Sequence, residues 1–196
     1  MRRSVRQVSA RHGDTVRCSG ENRCLLAISL AAGMLVAGAA AAQIPPAIAT
    51  VGEATVVTLH AEGVQVYECK TGSDKTGGEA TGSDHKLVWT LREPIATLLL
   101  AGKTVGRHYA GPTWQHVDGS SVVGKVVANA PGKTPTDIPW LKLQATARKG
   151  QGMLSGVATV QRINTQGGVH AGPCDKARTF YSAPYSADYV FLQKGG

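Results

Sequence analysis

The fifteen residues from Gly106 to Ser120, GRHYAGPTWQHVDGS, hold two histidines, a tyrosine, a tryptophan and an aspartate. Histidine beside a carboxylate can hold a metal or pass a proton, and the face of a tryptophan or tyrosine can stack on a sugar ring. The metal chemistry needs ligands whose spacing lets them converge. His108, His116 and Asp118 follow H-x7-H-x-D, which fits no tight ligand pattern, and His60, His85 and His170 are scattered without an H-x-H or H-E-x-x-H. Acyl transfer would call for a nucleophile on a sharp elbow, but no G-x-S-x-G occurs, and Ser120, Ser121 and Ser155 fall in turn or strand-edge contexts. Glycoside hydrolysis would call for paired carboxylates. The one acid set among aromatics, Asp188 between Tyr185 and Tyr189, reads as a hydrogen-bonded residue at the end of a strand. No metal and no cofactor is expected from these patterns.

The elements that must carry these residues read as strands. Val64 and Val66 alternate with Gln65 and Tyr67 up to Cys69, and Leu87, Trp89 and Leu91 alternate with Thr90 and Arg92. Leu141, Leu143, Ala145 and Ala147 alternate with Lys142, Gln144, Thr146 and Arg148, the pattern of a half-buried strand. Val157 to Ile163, after the KGQG turn at Lys149 to Gly152, is expected to pair with that strand as a hairpin, and Ala187 to Gln193 reads as a closing strand. Only the run from Pro94 onward hints at a short helical turn, and the glycine-rich stretch Thr71 to Asp84 reads as an exposed loop. The expected fold is all-β, a sandwich or partly closed barrel of about eight or nine strands with little helix.

Within that frame VDGS predicts a hairpin with Asp118-Gly119 as a two-residue type I′ loop. That register sets Val117 against Ser120, His116 against Ser121 and Trp114 against Val123. It exposes His116 near the turn, buries Trp114 at least by half, and makes Gly111-Pro112 a corner, with His108 and Tyr109 on the strand entering it.

Composition supplies the setting. Residues 1–24 carry six arginines and two acids, and Leu25 to Ala42 is apolar except for Ser29, ending in small residues before Gln43. A basic stretch, an apolar stretch and an A-x-A ending at Ala42 read as a secretory signal peptide over residues 1–42, with an uncleaved membrane anchor as the alternative. Residues 43–196 are then a single exported domain, periplasmic or extracellular. Loss of the leader lowers the formal charge from +8 to +4. No basic run with interleaved aromatics occurs, so nucleic acid is not an expected partner. Cys18 and Cys24 leave with the leader, and Cys69 and Cys174 are expected to pair in an oxidising compartment, closing a loop whose constraint stabilises by up to about 4.7 kcal/mol. A free pair or a metal site is the alternative.

The blocks GVQVYEC (Gly63–Cys69), GRHYAGPTWQHVDGS, IPWLKL (Ile138–Leu143), VQRINTQGG (Val160–Gly168) with Cys174, and PYSADYVF (Pro184–Phe191) resemble the DUF3455 family, small exported proteins of bacteria and fungi without an assigned function. Some fungal relatives carry a malate dehydrogenase label, which this chain does not support: it has no glycine-rich dinucleotide turn and no βαβ pattern. The resemblance implies that His108 and Trp114 belong to the shared pattern whereas His116 does not. It leaves His108, Tyr109, Trp114, Arg162 and Asn164 as candidates for one ligand pocket. The expected function is a non-enzymatic binding module for a glycan or another small envelope or extracellular ligand. The alternatives are a hydrolytic or metal-assisted enzyme with His108 as acid–base group, and a structural or interaction protein of the cell envelope.

Overall fold

The computed structural model describes residues 43–72 and 86–195. The leader assigned to residues 1–42, His85, and all of the glycine-rich loop beyond Gly72 lie outside the described residues. Eight strands follow one another: β1 (Glu53–Thr71), β2 (Leu87–Leu100), β3 (Lys103–Tyr109), β4 (Thr113–His116), β5 (Ser121–Ala130), β6 (Trp140–Lys149), β7 (Thr159–Gly167) and β8 (Phe180–Lys194). Each pairs antiparallel with the next, and β8 returns to β1, so the single sheet closes on itself in chain order. The expectation of an all-β fold with little helix is met: among the described residues the helical content is one 3-10 turn, Pro46–Ile48. Closure is complete rather than partial, which leaves no strand wholly unpaired along one side.

Alternation decides what fills the ring. Leu59, Ala61, Gln65, Tyr67 and Cys69 of β1 face inward, as do Ala183, Tyr185, Ala187, Tyr189 and Phe191 of β8. Of these, Leu59, Ala61, Tyr185, Ala187, Tyr189 and Phe191 form one continuous core with Leu98, Trp114, Val122, Leu143 and Val160. An eight-stranded ring is just wide enough for its own side chains or one small ligand, and here side chains take the space. Each large apolar group so buried contributes about 1.5–3 kcal/mol. The inward phase of β1 is set by Gln65 and Tyr67, leaving Val64 and Val66 only partly covered. Tyr67 tolerates this because its hydroxyl donates to the Gly168 carbonyl at 2.8 Å.

A second, smaller apolar layer lies outside. Trp140 and Ala130 are covered by Ile48, with Ile44 and Ile163 at its margin. Two polar groups tie this lead-in down: Gln161 Nε2 donates to the Ile48 carbonyl at 2.6 Å and Lys142 Nζ to that of Ala49 at 2.9 Å.

Three local expectations are corrected. Pro94 begins no helical turn; it lies within β2, opposite Gln65. Before Ala96 that strand has β1 on one side and no β3 partner on the other, so the missing N–H of proline costs no ladder bond. The β6–β7 pairing is as expected, but Gly150 to Ala158 connect the strands in place of a tight KGQG turn. The β4–β5 hairpin has a three-residue loop, not a two-residue one. His116 N–H donates to Ser120 O, Gly119 N–H to His116 O, and Gly119 sits at φ +88°. This is a type I turn closed by a left-handed glycine, and it moves the register by one, so Trp114 faces Val122 and Gln115 faces Ser121.

Candidate functional site

His108, Trp114 and Arg162 project into the ring. His108 on β3 is directly opposite Trp114 on β4, and their rings stack with centroids 4.6 Å apart. Tyr189 packs against both, at 4.9 and 5.2 Å. Arg162 on β7 lies opposite Tyr189 in register; its Nε and one terminal nitrogen donate to the Pro139 carbonyl at 3.0 and 2.8 Å. Burial holds His108 at about 4, against the pull of its Nδ1 contact with the Thr113 carbonyl (2.9 Å) and helped by the Arg162 charge. His108 is therefore a neutral ring, 3% exposed. Burial, then the neighbouring Tyr189 hydroxyl 3.4 Å away, push Tyr185 above the usual phenol range, and burial pushes Tyr189 the same way. The cluster is polar; His108, Trp114, Tyr185 and Tyr189 are buried, and Arg162 is half-buried at its edge.

Tyr109 and Asn164 face away from it. Tyr109 is on the outer face, where Arg107 lies 5.2 Å over its ring. Asn164 has φ +52° at the irregularity in the β7–β8 pairing and donates to Asp188 Oδ2 at 2.8 Å. The other carboxylate oxygen of Asp188 meets His60 Nδ1 at 2.8 Å. The five candidates thus divide into three inward and two outward, on different faces of the sheet. Asp188 is a hydrogen-bonded acid in mid-strand, not at a strand end. The His60–Asp188–Asn164 array has the orienting logic of an acid–base pair, but it stands on the convex outer surface of β1 and β8.

His116 is buried, contrary to its expected exposure, because the three-residue loop folds back over it. Its Nδ1 is 3.0 Å from Asp118 Oδ2. Asp118 also accepts from Ser120 N–H and Oγ (2.8 and 2.6 Å) and from Met153 N–H (2.8 Å), and Ser120 Oγ accepts from Leu154 N–H at 3.1 Å. These bonds clamp the β6–β7 connection over one end of the ring. At the other end Cys174 is bonded to Cys69 of β1, and His170 stacks on Tyr181 at 3.8 Å beside Trp89 and Tyr67. His170 had no sequence partner to mark it; the disulfide brings it there.

A depression lies elsewhere, on the outer surface where β6, β7 and the ends of β1 and β8 meet the β6–β7 connection. It is a groove of about 770 Å3. Glu53, Lys142, Gln144, Arg148, Gln193 and Lys194 give it its polar character. Glu53 Oε1 accepts from Thr159 Oγ1 at 2.7 Å, while Oε2 is shielded from solvent without a partner among the described residues. Arg148 donates to the Val157 carbonyl at 2.7 Å, using one of its five N–H groups. No carboxylate lies within ion-pair distance of Lys142, Arg148 or Lys194 among the described residues. The alternation of β6 marks Lys142, Gln144 and Arg148 as outward, but only the strand register brings them to Gln193 and Lys194.

Among the described residues there is no cluster of three or more metal-ligating side chains and no helix long and apolar enough to cross a membrane. Residues 50–193 match the model of the family described as "Protein of unknown function (DUF3455)". No curated protein and no solved structure matches the chain.

Proposed function

We propose that the chain, which belongs to the DUF3455 family of proteins of unknown function, is an exported, non-enzymatic binding module that seats a glycan in the outer groove. The groove itself carries this reading. Its volume of about 770 Å3 is within the range of small-molecule sites, and its lining offers carboxylate, amide, ammonium and guanidinium groups suited to sugar hydroxyls. Most of these groups stand on paired strands, which hold them at fixed separations. Among the described residues no histidine lines the groove, and His108, the acid–base candidate of the sequence, is buried inside the ring. Export is supported by the basic-then-apolar leader and by the Cys69–Cys174 bond, which suits an oxidising compartment.

The test is a glycan array read with the mature chain and with Gln144→Ala/Gln193→Ala. Both glutamines are exposed, so the fold should survive. Binding to a defined set of glycans, lost in the variant, is expected. Binding that persists in the variant would move the site off the groove, and the absence of any glycan signal would overturn the reading.

A further inference from the structure

The groove carries an imbalance of charge that its own residues do not resolve. Lys142, Arg148 and Lys194 stand around it against one acid, Glu53. Lys125 is opposite Gln144 in the β5–β6 register and exposed, so its side chain extends the basic rim on the same face. The cations are held apart by separate attachments: Lys142 to the Ala49 carbonyl, Arg148 to the Val157 carbonyl. Lys194 makes no ion pair to a described carboxylate, and Arg148 keeps four N–H groups after its one bond. The groove's one acid, Glu53, already accepts from Thr159 Oγ1 and has its second oxygen shielded from solvent. A ligand that completes this site must bring negative groups for the cations and polar groups for the exposed amides of Gln144 and Gln193.

We propose that the groove takes an acidic saccharide, a short chain whose carboxylate or sulfate groups meet Arg148, Lys194 and Lys142 and whose hydroxyls meet Gln144 and Gln193. This rests on the glycan-binding reading and narrows it to one chemical class. Arg148 presents a planar fork that matches a carboxylate or sulfate edge, whereas the lysines act as point charges. A neutral sugar would leave those cations unanswered, and a bare inorganic anion is too small to meet them and the two glutamines together.

The experiment is calorimetric titration of the mature chain with tetragalacturonate, a sulfated galactose tetramer, maltotetraose and inorganic sulfate. The expected result is that one or both acidic tetramers bind, more weakly as salt rises, and that maltotetraose and sulfate bind about tenfold or more weaker. Arg148→Gln/Lys194→Gln should weaken the acidic tetramer about tenfold or more. Lys194→Gln alone, which removes no hydrogen bond seen in the fold, should weaken it in the same direction and guards against a folding defect in the double variant. Lys103→Gln/Lys176→Gln, with the same loss of charge away from the groove, should change little. Maltotetraose binding as tightly as the acidic tetramers would overturn the acidic class while leaving the glycan reading intact. Equal weakening by the Lys103/Lys176 pair, or sulfate competing as strongly as the tetramers, would reduce the effect to general electrostatics and overturn the proposal. No binding by any tetramer would overturn both readings.

Discussion

His108 lies flat on Trp114, the two ring planes only 7° from parallel, and both are sealed inside the ring of strands. A stack of this kind is held by burial and by the fixed cross-strand pairing, not by solvent.

The buried ring makes stability depend on pH in a defined window. The folded-state value for His108 is about 4, below the ordinary 6.5, so between these limits the unfolded chain binds more protons than the folded one. The sign follows: this contribution is whole above pH 6.5, falls as pH drops toward 4, and changes no further below that. The full loss is about 3 kcal/mol. Denaturant unfolding from pH 7 to pH 4.5 should show the decline in the wild type, and His108→Phe, which keeps a ring on Trp114 but cannot titrate, should flatten it. An undiminished slope in the variant would place the titrating group elsewhere.

Asp118 governs a lower window. Its carboxylate is held below the usual range first by the Met153 N–H and then by the Ser120 hydroxyl, so its stabilisation is present above about 3.8 and is lost as pH falls from there toward the folded-state value. Asp118→Ala removes the acceptor for three donors, the Ser120 N–H and hydroxyl within the β4–β5 hairpin and the Met153 N–H of the β6–β7 connection. A destabilisation of about 2 kcal/mol is expected at pH 7, narrowing when wild type and variant are compared at pH 2.5. Hydrogen exchange should show the extra opening at Met153 and Leu154; uniform protection there would mean the clamp is not formed.

These two residues also mark what the sequence could and could not say. VDGS identified the hairpin because aspartate and glycine satisfy a tight turn locally. It did not fix the loop length, because Asp118 reaches Met153, 35 positions on, and no local pattern encodes that contact. The all-β class, the burial of Trp114 and the pairing of Cys69 with Cys174 were readable from alternation and cysteine usage, whereas the β2 segment from Pro94 onward read as a helical turn. The inward phase of Gln65 and Tyr67 was not, since it depends on the Gly168 carbonyl from the far side of the chain. The candidate pocket failed to gather for a similar reason. His108 and Arg162 point inward on strands related by closure of the sheet, whereas Asn164, two residues past Arg162, is turned outward at an irregular step in β7. The groove was invisible because Glu53, Lys142 and Lys194 meet only when the first and last strands pair.

The glycine at 168 should be far less replaceable than the one at 119, although both occupy the left-handed region, at φ +86° and +88°. At Gly119 an added Cβ meets nothing within 4 Å, so Gly119→Ala carries backbone strain alone, about 1 kcal/mol. At Gly168 the Cβ would lie 2.9 Å from both Ile138 Cγ2 and Tyr185 Cβ and 3.3 Å from Gln65 Cγ. Those neighbours are buried toward the disulfide end of the ring, where the Gly168 carbonyl also receives the Tyr67 hydroxyl. Gly168→Ala must therefore add overpacking to strain, for a total of about 2–4 kcal/mol. Tyr67→Phe, which removes only the hydrogen bond, should cost about 1 kcal/mol. Chemical denaturation of the three variants separates the contributions by their order, with Gly168→Ala the most destabilised. If Gly168→Ala matched Gly119→Ala, the site would have room that the packing around Ile138 and Tyr185 does not show.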